Sequence, residues 1–225
     1  MFIKVSEDGA FNLTTAGYVL TVVILAGLLL LAGLAAKKIT KNGEKSGALT
    51  ARQISFCGIS VALATVLSMI KLFEFPFGGS ITAFSMLFIC LPGYFYGVGT
   101  GIFAGAAYGV LQFLLGPYIL TPAQVIVDYL LAFAALGLSG VFSNAKNGLL
   151  KGYILGVIGR YVFAVISGWI FFGEYAWEGW SPLPYSMAYN GAYIFAEAGV
   201  TLLILLIPAV RKGLFSVKQM ALGSR

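Results

Sequence analysis

The chain has 225 residues, of which 60% are hydrophobic and only 10% charged, with a net charge of +6 and no histidine. About a quarter of the residues of a soluble domain are charged, so a soluble enzyme, a nucleic-acid binder and a disordered chain are excluded, and a polytopic membrane protein remains. Without histidine, Ser-His-Asp and Cys-His catalysis and imidazole-held metals are excluded as well, and no cofactor or metal is expected.

A membrane-spanning helix needs about 20 mostly apolar residues. Taken in chain order, residues 16–36, 54–72, 82–98, 101–116, 122–142, 150–172 and 187–210 meet that requirement, the third and fourth being short. Lys37-Lys38 directly after the first run marks a stop-transfer end, so this run stays as a helix and is not a cleaved signal peptide. The polar stretch after it, with Lys41-Asn42-Gly43-Glu44-Lys45-Ser46-Gly47, reads as a flexible cytoplasmic linker. The expected fold is an all-α, polytopic transmembrane bundle. Residues 1–50 form an N-terminal transmembrane helix and linker, and residues 51–225 a six-helix membrane domain. Cys57 and Cys90 lie inside apolar runs and read as small buried hydrophobes, with no disulfide between them.

Charge placement sets the expected orientation. With the N-terminus outside and the C-terminus cytoplasmic, the inner segments hold Lys37, Lys38, Lys41, Lys45, Arg52, Lys146, Lys151, Arg211, Lys212, Lys218 and Arg225, against Lys4 and Lys71 outside. Glu7, Asp8, Glu74, Glu174 and Glu178 then fall outside. The positive charge is thus a topology signal and needs no acidic partner or nucleic acid to explain it.

In that topology the chemistry gathers at the outer ends of the spans. The outer loops are Glu74-Phe75-Pro76-Phe77-Gly78-Gly79-Ser80, Gly116-Pro117-Tyr118-Ile119-Leu120-Thr121-Pro122 and the aromatic segment from Gly173 to Tyr185. Asp128 lies six residues into its span, about 9 Å below the end, and Asn190 a similar short distance into the last one. A carboxylate inside a span is costly and usually functional. Aromatic faces, an acid and an amide at one depth suit a small, aromatic, cationic solute. Trp177, Trp180 and Tyr175 fit a pocket wall or an interfacial belt equally well. Arg160 and Glu197, the other charges within spans, are expected to pair with each other, and Lys71 and Glu74 to be solvated. Gly58-x-x-x-Ala62 and Ser60-x-x-x-Ala64 allow close helix approach, and the series Gly97, Gly99, Gly101, Gly105, Gly109 is open to the same reading. No G-x-x-x-x-G-K-[ST] phosphate loop occurs, so any ATPase must be another subunit.

Residues from about Arg52 to Lys212 resemble the thiamine-specific S-component of energy-coupling factor transporters. The resemblance rests on Gly78-Gly79-Ser80, on Tyr118-Ile119-Leu120 leading through Gln124 to Asp128-Tyr129, on Arg160-Tyr161, on Ile166-Ser167-Gly168 with Phe171-Phe172, and on Tyr185-Ser186 followed by Tyr189-Asn190. It implies a six-helix S-component core that captures thiamine at the outer face, plus one extra N-terminal helix outside the resemblance. A transmembrane coupling protein and two ATPase subunits would complete the transporter in a bacterial cell membrane. By that resemblance Asp128 pairs with the ligand, Tyr129 and Tyr118 line the pocket, Phe172 stacks on the ligand, Tyr185 and Asn190 bind the pyrimidine end, and Phe77 matches a lid aromatic. With Trp177 these are the candidate ligand residues, and Gly58 and Ala62 match the partner interface. The chain departs from the pattern at Ala164, where the family commonly has histidine, which points to lower affinity or to a related ring such as hydroxymethylpyrimidine. Thiamine capture is the leading expectation. The alternatives are another small heterocycle on the same architecture, or a membrane-embedded enzyme or structural anchor.

Overall fold

The computed structural model describes residues 3–5, 11–14 and 49–223, in a chain that divides into two units, residues 1–54 and 55–225. The span expected at 16–36 and the linker as far as residue 48 lie outside the described residues. In the first unit β1 (Ile3–Val5) and β2 (Phe11–Leu13) pair antiparallel, with Lys4 opposite Asn12.

Helix α1 (Ala51–Ser68) opens on a reciprocal capping box. The Thr50 amide donates to Gln53 Oε1 at 2.8 Å, and the Gln53 amide donates to Thr50 Oγ1 at 3.2 Å. Only Ser60, Ala64 and Ser68 are buried on α1, a stripe of small residues at four-residue spacing, while Ile54, Ile59, Leu63 and Val66 stay exposed. An apolar exterior over a small-residue interior is what lipid as solvent favours. The expected span 54–72 stops early, because Lys71–Glu74 forms a strand, β3, that pairs antiparallel with β4 (Ser80–Thr82) across a bulge between Lys71 and Phe73. The tight turn Pro76–Gly78 joins them, with Phe77 and Gly78 at φ 62° and 93°.

Helix α2 (Ser85–Tyr96) has 12 residues, nearly all buried, so it is enclosed by protein where a full span would face lipid. Gly97, at φ 93°, turns the chain into α3 (Val98–Leu115). Of the glycine series, Gly101, Gly105 and Gly109 are the packing face. A methyl carbon at Gly101 would sit 2.8 Å from the Gly137 backbone, and side chains at Gly105 and Gly109 would strike the backbone at Phe133 and Tyr129. Gly99 meets open space.

Helix α4 (Pro122–Phe142) begins with Thr121 as its cap and Pro122 in its first turn, widens to a π turn over Ile126–Leu131, and tightens to a 3₁₀ turn over Ala135–Phe142. Helix α5 (Gly148–Phe171) exposes Ile154, Ile158, Val162 and Ile166 along one stripe and buries Gly152, Gly156, Ala164 and Gly168 on the other. Helix α6 (Pro182–Leu206) ends at Ile207 and Pro208 rather than running on to 210. The chain continues as an amphipathic helix, α7 (Pro208–Leu222), which packs on α2 and α6. Lys218 secures α7: its ammonium lies 4.0 Å from the Tyr94 ring centre and donates to the Ser143 carbonyl just past α4. Burial lowers its pKa below the usual lysine value. Among the described residues five helices, α1, α3, α4, α5 and α6, are long and apolar enough to cross a membrane, with α2 a shorter apolar helix beside them. The architecture is a helical membrane bundle.

Arg160 and Glu197 do not pair. Glu197, 3% exposed, accepts from the Thr82 amide at 3.1 Å, Thr82 Oγ1 at 2.7 Å, Ser85 Oγ at 3.3 Å and the Met86 amide at 3.1 Å. Its carboxylate therefore caps the N-terminus of α2, where unsatisfied amides and the helix dipole both favour negative charge. Among the described residues the ion pair is instead Lys71–Glu74, at 2.6 Å and exposed, which contributes little in water.

Candidate functional site

A cavity of about 430 Å³ opens where the β3–β4 hairpin, the loop after α3 and the ends of α4, α5 and α6 converge. That volume suits a small heterocyclic ligand. Of the residues expected from sequence, Phe77, Tyr118, Asp128, Tyr129, Phe172, Tyr185 and Asn190 all line it. Trp177 does not. It is 53% exposed and stands edge-on to Tyr185 at 5.2 Å, behind the wall. Gly58 and Ala62 lie far along α1 on its exposed face, and Gly58 has nothing within 4 Å of where a side chain would begin.

The aromatic wall is built from three elements. Tyr118 and Phe172 stack with centroids 5.7 Å apart and planes 28° from parallel. Tyr175 sits 6.0 Å from Phe172 and carries Phe77 of the hairpin at 4.5 Å. Phe77 is a bulky residue in the left-handed region, a conformation that surrounding structure must hold in place. Tyr189 supplies part of that hold: its hydroxyl accepts from the Gly79 amide at 3.0 Å and donates to the Pro76 carbonyl. Glycine at 79 lets that bond form, because a methyl carbon there would lie 2.7 Å from the hydroxyl oxygen.

The polar groups are held with equal care. Thr121 Oγ1 accepts from the Gln124 amide at 3.1 Å and so starts α4. One turn on, the π turn brings Asp128 and Tyr129 to the cavity. Asp128 Oδ2 accepts from Gln124 Nε2 at 2.6 Å. Tyr129 Oη accepts from the Tyr118 amide at 2.9 Å and lies 3.2 Å from the Gly116 carbonyl it donates to, which pins the loop between α3 and α4. Asn190 Nδ2 donates to the Ala164 and Ser186 carbonyls at 3.2 and 3.0 Å, and its Oδ1 accepts from Tyr193 Oη at 2.7 Å. A carbonyl oxygen has two lone pairs, so Oδ1 keeps one for a ligand donor. Arg160 also lines the cavity, its guanidinium carbon 4.5 Å from the Phe133 ring centre.

Sequence reasoning missed the lining roles of Gln124, Arg160, Tyr189 and Tyr193. The spacing Tyr185, Tyr189, Tyr193 is a signal that could have found two of them, since residues four apart share one helix face. Gln124 stands four residues before Asp128, a spacing at which amide and carboxylate meet on a helix.

Comparison with known proteins shows consistent likenesses. The profile of the thiamine transporter protein family matches residues 54–215. The chain is 32% identical over 172 residues to the thiamine transporter ThiT of Bacillus subtilis, covering 68% of this chain and 89% of that protein. It is 30% identical over 125 residues to the thiamine transporter ThiT of Lacticaseibacillus paracasei, covering 48% of this chain and 62% of that one. A solved structure of ThiT from Listeria monocytogenes superposes with a TM-score of 0.61 at 31% identity, covering 72% of this chain and 96% of that one.

Proposed function

Because the chain belongs to the thiamine transporter protein family, a family of transporters and not of enzymes, we propose that it captures thiamine with high affinity at the outer face of a bacterial membrane. The observation that carries this reading is one carboxylate, Asp128, lining the same cavity of about 430 Å³ as the stacked Tyr118 and Phe172. Thiamine offers a fixed cationic thiazolium and an aminopyrimidine. The thiazolium takes Asp128 as counter-charge and the aromatic faces as cation–π partners, and in a dry site such contacts are worth more than in water. The pyrimidine amine donates to the open lone pair of Asn190 Oδ1, with Tyr185 against the ring. Phe77 closes over the ligand from the hairpin. Residues 51–225 carry this function, with the N-terminus outside and the C-terminus in the cytoplasm.

The chain has no nucleotide-binding loop of the P-loop kind, so energy for uptake comes from partners. We assign that role to an energy-coupling transmembrane protein and two ATPase subunits, docked on the exposed small-residue face of α1 at Gly58 and Ala62. A second reading has one observation in its favour. The cavity wall at Ala164 is a methyl group, which leaves room for a related ring such as hydroxymethylpyrimidine.

A titration of the detergent-purified protein, read by tryptophan fluorescence, tests the ligand. Saturable quenching by thiamine at sub-micromolar concentration, with no response to riboflavin, is the expected result. A response to hydroxymethylpyrimidine alone would move the site to the precursor, and silence from all three would refute the reading.

A further inference from the structure

Gln124 is 1% exposed and uses both ends of its side-chain amide. Its Oε1 accepts from the Leu120 amide at 3.1 Å, and its Nε2 donates to Asp128 Oδ2 at 2.6 Å. The amide therefore cannot turn over without placing a carbonyl oxygen against a carboxylate and an amine against an amide N–H, two repulsive contacts for two attractive ones. Asp128 sits on the π turn, where the backbone ladder is interrupted and the local geometry depends more on side-chain partners.

We propose that Gln124 is a positioning residue that fixes the rotamer of Asp128 and thereby sets the preference of the cavity for a cationic over a neutral ligand. This rests on the thiamine reading above and deepens it. A free aspartate swings its two oxygens through a broad range of angles, and an oxygen that wanders loses attraction for a fixed cation. Gln124 holds one oxygen, so the other keeps one direction. Both ends of this amide are taken by protein partners, so its effect on the ligand passes through Asp128. A neutral ring gains nothing from that alignment, because its affinity comes from the aromatic wall and Asn190.

The test compares thiamine with hydroxymethylpyrimidine, neutral at pH 8, by calorimetry on the purified full chain. Three variants are needed: Gln124→Met, which keeps the shape and removes both polar ends; Gln124→Asn, which draws the amide back by about 1.5 Å; and Thr121→Val, which weakens the start of α4 without touching Asp128. Both Gln124 variants are expected to lose thiamine affinity by roughly 10–100-fold, the worth of a hydrogen bond to a charged group, with pyrimidine affinity held within about 3-fold. Retained pyrimidine binding also reports that each variant is folded. Thr121→Val is expected to leave the ratio of the two affinities unchanged. Equal losses for both ligands, no loss for either, or a ratio shifted equally by Thr121→Val would overturn the positioning role alone. A wild-type protein that binds no thiamine would overturn the ligand reading, and this inference with it.

Discussion

Glu197→Gln is a small change with a calculable cost, because all four partners of the carboxylate are donors. The substituted amide has one acceptor oxygen and one NH₂ group. With NH₂ on the Thr82 side, the threonine hydroxyl can rotate to accept, but the Thr82 amide loses the acceptor it has at 3.1 Å. With NH₂ on the other side, Ser85 adapts in the same way and the Met86 amide is orphaned. Either flip leaves one buried N–H unsatisfied, at about 1–3 kcal/mol. Loss of the charge at the α2 N-terminus adds about 0.3–1 kcal/mol. A total of about 1.3–4 kcal/mol lowers the melting temperature by roughly 3–16 °C for a chain of this size, measured by thermal unfolding in detergent. An Arg160→Gln variant supplies the control. If Glu197 serves α2 alone, the two substitutions add within about 0.5 kcal/mol. A melting temperature within about 1 °C of wild type, or strong coupling between the two substitutions, would refute the capping argument and restore an Arg160–Glu197 pair.

Three further outcomes follow from the geometry. Asp128→Asn should weaken thiamine by roughly 10–100-fold and hydroxymethylpyrimidine far less, and equal losses in a competition assay would remove the counter-ion role. Gly79→Ala should break the Tyr189 clasp on the hairpin, since the methyl carbon lands 2.7 Å from the hydroxyl, and stopped-flow fluorescence should show faster ligand release with the bundle still folded. Lys218 is held below its ordinary pKa of 10.5 by burial, so over the window just beneath that value the unfolded state binds more protons, and stability rises with pH there. Lys218→Met should flatten that rise in melting temperature while loosening α7 from Tyr94 and Ser143.

The helices were legible where lipid dictates composition. The apolar run at 122–142 coincides with helix α4, whose first turn is set by Thr121 and Pro122. The reading ran too far where hydropathy continued through a change of structure. Leu72 is as apolar in a strand as in a helix, so the β3–β4 hairpin was absorbed into the end of a span. The run through Leu206 and Ile207 hid the break at Pro208, although proline there was a fair stop signal. Asp128 and the aromatic residues were readable because a carboxylate and rings at one depth are unusual in a membrane. Glu197 was misjudged because its partners belong to another element. It lies 15 positions into α6, about 22 Å along the helix, and nothing local shows that the short α2 begins at that depth. The sequence shows Gln124 only as part of a motif, since its role depends on where Leu120 and Asp128 come to rest.

The most direct measurement of the central claim is a structure of the protein determined with thiamine bound. The account predicts the thiazolium within contact of Asp128 and against the Phe172 ring, and the pyrimidine amine on Asn190 Oδ1. Phe77 should be closed over the ligand, and the Gln124 amide still on Asp128. Thiamine found outside this cavity, or inside it with the thiazolium turned away from Asp128, would contradict it.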